Sequence, residues 1–114
     1  MLEPTADHPI TITPTGRRVT VIINGRTIAE TDDALTLQES TYPPVQYVPV
    51  ADVDPAALTP SSTTSYCPYK GEASYYSVDD HVDAVWTYEH PYPAVGQIAG
   101  RVAFYPDKAQ IRLT

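Results

Sequence analysis

The pattern of apolar and polar positions is dominated by short alternating or β-branched runs separated by turn residues. The sharpest case is Arg18-Val19-Thr20-Val21-Ile22-Ile23, then Asn24-Gly25, then Arg26-Thr27-Ile28-Ala29-Glu30-Thr31. Asn-Gly between two such runs signals a two-residue hairpin, because both turn positions need positive φ. That loop pairs Ile23 with Arg26 and Val21 with Ile28, and sets Val19, Val21 and Ile28 on one core-facing side. Ile10–Thr13 reads as a short edge strand ahead of a Thr15-Gly16 turn. Ala34–Ser40 alternates about Leu35 and Leu37, and Tyr42-Pro43-Pro44 makes a rigid corner before a strand at Val45–Val48.

The second half repeats the theme. Ser61–Tyr66 is Ser/Thr-rich and extended, and Cys67-Pro68-Tyr69-Lys70-Gly71 reads as a turn. Glu72–Val78 and Val82–Glu89 alternate, with Asp79-Asp80-His81 between them, so they form a second hairpin. Its register brings Tyr75 or Tyr76 near Trp86, and period two puts Val82, Ala84, Trp86 and Tyr88 on one side. His90-Pro91-Tyr92-Pro93 is another corner. Ile98–Tyr105 reads as a strand with a bulge at Gly100, and Ala109–Leu113 as the last strand.

The one helical candidate is Ala51–Leu58, where Asp54 can cap and Pro55 suits the first helical position. Twelve prolines are spread along the chain, which argues against long helices. The fold expected is all-β and mainly antiparallel, a small sandwich or barrel-like sheet with one short helix near residues 54–58. Residues 1–9 read as an N-terminal tail and residues 10–114 as a single β-rich domain, a size that supports a core without staples.

Charge and cysteine content narrow the partners. The net charge is −7, with seven basic and fourteen acidic residues, which argues against nucleic acid or an anionic membrane as partner. No run approaches the roughly 20 apolar residues of a membrane span. Cys67 is the only cysteine, so an internal disulfide is excluded, and a cytoplasmic location is expected. Nine tyrosines stand out, seven of them between Tyr66 and Tyr105.

Several motifs together resemble one known family. They are Ala29-Glu30-Thr31, the Tyr42-Pro43-Pro44-Val45-Gln46-Tyr47 corner, Asp52-Val53, Thr64-Ser65-Tyr66-Cys67-Pro68-Tyr69-Lys70-Gly71, Val85-Trp86-Thr87-Tyr88 and Ala103-Phe104-Tyr105. Over about residues 8–114 they are similar to the domain-of-unknown-function family numbered 427, small and mostly bacterial β-rich proteins. The resemblance implies the β-fold. The family's nucleotidyltransferase-like label comes with no catalytic residue to carry over.

Three kinds of site suggest themselves. Tyr47, Tyr66, Tyr75, Trp86 and Tyr88 would line an aromatic cleft for a small molecule or peptide, with Glu39 and Lys70 fixing orientation. The competing reading is that these rings fill the core, since the chain has one Phe, Phe104. Cys67 is a candidate nucleophile, with Lys70 three residues away as the cation that favours a thiolate and Glu39 as a third candidate catalytic group. Asp52-Val53-Asp54 has the spacing of a carboxylate pair that holds Mg²⁺, but Asp54 is already explained as a cap, and no Gly-rich phosphate loop precedes it. No cofactor is expected. A third role is structural, with exposed tyrosines forming a homo-oligomer face. The binding module is the favoured expectation.

Overall fold

The structure, a computed structural model, describes all residues 1–114. Ten strands form two antiparallel sheets. They are β1 (Ile10–Pro14), β2 (Val19–Ile23), β3 (Arg26–Thr31), β4 (Leu35–Glu39), β5 (Val45–Pro49), β6 (Thr59–Cys67), β7 (Gly71–Val78), β8 (His81–Thr87), β9 (Arg101–Phe104) and β10 (Gln110–Leu113). The larger sheet has the order β1-β4-β5-β9-β8-β7-β6, and the smaller has β10-β2-β3. The architecture is sandwich-like. The larger sheet ends in β1 and β6 without closing on itself, so the barrel-like alternative is not the fold.

The first hairpin forms where Asn-Gly dictates, with φ of 53° at Asn24 and 74° at Gly25. Ile23 pairs with Arg26, but Val21 pairs with Ala29 rather than Ile28. One extra residue on β3 makes a bulge, so Ile28 and Ala29 are buried side by side. A second bulge corrects the reading of β8. Three residues, 82–84, span the stretch opposite Ser77. Asp83 takes φ 55° and donates its backbone N–H to Ser77 Oγ at 3.0 Å. The strict alternation is broken there: Val82 is exposed, while Ala84 and Val85 are both buried.

The expected single helix is a 3₁₀ turn, Pro55–Ala57, preceded by another at Val50–Asp52. Asp54 caps the former, accepting from the Ala56 N–H at 3.0 Å. A third 3₁₀ segment, Pro93–Ile98, occupies the start of what reads in sequence as a strand from Ile98, and Gly100 lies in the turn before β9. The apolar residues there, Val95 and Ile98, are buried as a cover for the sheet rather than as strand positions.

Alternate residues of the central strands divide the interior in two. Val48, Val85 and Val102 join Val19, Val21, Ile23 and Ile28 between the sheets. Their neighbours Tyr47 and Ala103 face the other side of the larger sheet, with Leu37, Tyr88, Val95 and Ile98, and Trp86 packs against them. No helix is long and apolar enough to cross a membrane.

Candidate functional site

The second face of the larger sheet carries the candidate site, and the Cys67–Gly71 turn builds its polar end. The turn closes through Lys70 N–H to Cys67 O at 3.2 Å. It leaves through Gly71 at φ +107°, a conformation that a residue with a Cβ rarely adopts. This geometry folds Lys70 inward, where the residue is only 8% exposed. Its ammonium pairs with Glu39 Oε1 and lies 3.7 Å from Cys67 Sγ. The other carboxylate oxygen of Glu39 accepts from His8 Nε2 at 2.7 Å, which fixes the imidazole proton on that nitrogen. The His8 ring stacks on Tyr69 with centroids 4.2 Å apart. Burial alone would raise the Glu39 carboxyl. The hydrogen bonds from Lys70 and His8 outweigh it and hold the group below its usual range.

The residues before Ile10 are fastened to this end. Besides the His8 contacts, Leu2 N–H donates to Pro68 O at 2.8 Å, and Thr5 and His8 bridge each other. His8 thus joins the site from a stretch that has no hydrophobic pattern.

Beside the ion pair opens a cavity of about 670 Å³. Its position follows from an incomplete pairing. β5 and β9 are bonded only at Val48–Val102 and Pro49–Arg101. Continuing that register would set Tyr47 against Ala103 and Gln46 against Phe104. Those pairs do not form, and Val45, Gln46 and Tyr47 on one side and Phe104 and Tyr105 on the other line the opening. β7 and β8 supply Tyr75 and Trp86, which are directly cross-strand, and Tyr88 follows the end of β8.

The rings are held in fixed relation. Trp86 Nε1–H donates to the Tyr47 hydroxyl at 3.2 Å, with the two rings edge to face. Trp86 also packs on Tyr105 with centroids 4.5 Å apart. Burial pushes the Tyr47 and Tyr88 phenols well above the usual tyrosine range. The Glu39 carboxylate adds to the rise in both. The Tyr105 phenol is pushed up to about 12, first by burial and then by the neighbouring Tyr75 hydroxyl. All three stay neutral at physiological pH.

Six residues singled out from sequence meet at this cavity: Glu39, Tyr47, Lys70, Tyr75, Trp86 and Tyr88. Cys67 lies beside it against the same cluster, in contact with Lys70. Tyr66 is not brought in. It sits on the edge strand β6, is 60% exposed, and bonds the Tyr92 hydroxyl at 2.8 Å. Asp52 and Asp54 lie elsewhere and are already engaged, Asp52 with the Thr31 hydroxyl at 2.7 Å and Asp54 with its cap. No group of three or more His, Cys, Asp or Glu side chains is placed to hold a metal. Sequence reasoning missed His8, Tyr42, Gln46 and Tyr105. The Tyr42-Pro-Pro corner and the Phe104-Tyr105 end of a strand were signals of a sort, whereas His8 had none.

The curated proteins contain no match to this chain. The model of the domain of unknown function DUF427 matches residues 11–114, nearly the whole chain and every strand but the first residue of β1. The motifs of the cavity wall fall within that match, and the chain belongs to the DUF427 family.

Proposed function

We propose that this protein is a binding module that takes a small molecule or a short peptide into the aromatic cavity. One observation carries the reading. Tyr47, Tyr75, Trp86 and Tyr88 surround a space of about 670 Å³ with the Glu39–Lys70 pair at its wall. That volume lies in the range of small-molecule sites, roughly 300–1,000 Å³, and mostly apolar walls with a few convergent polar groups are their usual make-up. Rings that merely filled the core would leave no such space among them.

Trp86 is the only tryptophan and stands on the cavity wall, so its indole N–H is a built-in reporter. Isotope-labelled protein titrated with a panel of aromatic fragments and tripeptides should show saturable displacement of that one indole resonance. A panel that leaves the indole unmoved at millimolar concentration would overturn the reading.

The 3.7 Å approach of Lys70 Nζ to Cys67 Sγ favours a second reading, covalent catalysis by Cys67 with Lys70 as electrostatic partner. Alkylation of Cys67 by iodoacetamide tests it. An alkylation rate that Lys70→Gln leaves unchanged ends this alternative.

A further inference from the structure

The hydrogen-bonding capacity left unspent in the cavity narrows what it takes, and this step rests on the binding-module reading above. Glu39 is the only acidic residue on the wall and Lys70 the only cation. They neutralise each other, and each Glu39 oxygen already accepts a hydrogen bond, one from Lys70 and one from His8. A cationic ligand therefore meets aromatic faces and a carboxylate whose charge is already balanced by Lys70. An anionic ligand would have to compete with Glu39 for the one ammonium. Neither charge is favoured by a wall that is itself balanced.

The free groups include several donors, and the Tyr88 hydroxyl can also accept. The Tyr47 hydroxyl accepts from Trp86, so its own O–H remains unspent. The Tyr88 phenol is buried, lines the cavity, and is held neutral without a hydrogen bond from the protein. Gln46 Oε1 already accepts from Thr15 at 2.6 Å and Thr36 at 3.1 Å, which leaves its amide N–H groups over. Unpaired donors in a partly buried space are costly, and a ligand acceptor satisfies them. The Trp86–Tyr105 pair adds a flat aromatic wall.

We infer that the ligand is a neutral, planar aromatic compound carrying carbonyl or ring-oxygen acceptors, stacked against Trp86 and hydrogen-bonded by the Tyr47 and Tyr88 hydroxyls. The test uses four probes of similar size on the whole protein: coumarin (neutral, with acceptors), naphthalene (no acceptor), 2-naphthoate (anion) and 2-naphthylmethylammonium (cation). Dissociation constants come from the Trp86 indole resonance. Coumarin should bind most tightly. Tyr88→Phe should weaken coumarin about three- to tenfold, the usual worth of one hydrogen bond, and Tyr47→Phe, which also unpairs the Trp86 indole, at least as much; each should weaken coumarin more than naphthalene. The inference is overturned if naphthalene or either charged probe matches coumarin, or if both Phe variants bind coumarin as the parent does. In those outcomes the cavity is still a binding site for another ligand class. If none of the four moves the indole, the binding-module reading falls with it.

Discussion

The two faces of the seven-stranded sheet are made by the same strands and have opposite characters. Val48, Val85 and Val102 face the small sheet and join an aliphatic core with Val19, Val21 and Ile28, each no more than 2% exposed. One residue along, Tyr47, Trp86 and Ala103 face a cluster of rings that borders an ion pair and an open cavity. The first face is almost wholly hydrocarbon, and the buried Thr87 hydroxyl beside it is spent on the Arg101 carbonyl. The second retains hydroxyls, an indole N–H and two formal charges. Period-two alternation separates a face that stabilises from a face that carries rings, and the Cys67–Gly71 turn and the Tyr42-Pro43-Pro44 corner add the polar end and the rim of the cavity.

The contrast can be broken most severely at the ion pair. Lys70→Met leaves the Glu39 carboxylate enclosed with only His8, and unpairing a buried charge costs about 3–5 kcal/mol. Urea denaturation should show that loss, and the double change Lys70→Met with Glu39→Gln should recover most of it. If the single variant is as stable as the parent, the polar face contributes nothing that depends on pairing. On the other face, Ile28→Ala should lower stability by about 2–5 kcal/mol through lost burial and a cavity, while the Trp86 indole resonance stays in place. A shifted indole there would mean that the two faces are not separable.

Titration sharpens the comparison without changing volume. The folded Glu39 carboxyl lies below its unfolded value. The unfolded chain thus binds more protons in that interval, and stability rises with pH. The contribution is fully present above the unfolded value and is lost as pH falls through the folded one. Glu39→Gln should flatten the acid limb of the stability profile. The phenols have the opposite sign. Tyr47, Tyr88 and Tyr105 are raised in the fold, so their contribution is present below the unfolded tyrosine value and is lost as pH climbs toward about 12 and beyond. Absorbance at alkaline pH should show these three phenols ionising late, together with unfolding. The smallest effect expected is from Asp54→Ala, about 1 kcal/mol for a lost cap at a turn remote from the cavity.

Much of this was legible in the sequence where the determinants are local. Asn24-Gly25 dictates its hairpin, and alternation through Trp86 and Tyr88, with Tyr75 opposite, assembles one wall. Lys70 and Glu39 were singled out as charges bordering the rings, and they meet. What stayed hidden depends on distant partners. The bulge at Asp83 needs the Ser77 hydroxyl opposite it. Tyr66 reads as part of the aromatic set, but its strand has no neighbour beyond it to enclose the ring. His8 enters only because Glu39 and Tyr69, far along the chain, come to meet it. The cavity itself arises from two strands that stop pairing after two residue pairs, an event that no single segment encodes.

Strand β6 has a consequence of another kind. It is nine residues long and forms the outer border of the larger sheet, with one side of its backbone facing away from any partner. A free border of that length can template growth into a fibre. Here the strand is rich in serine and threonine, Pro60 brings no N–H, and the pairing register breaks between Pro60 and Thr64. The regular run of donors and acceptors is confined to Thr64–Cys67. The same irregular border that leaves Tyr66 outside the cavity therefore shortens the stretch on which another chain could pair.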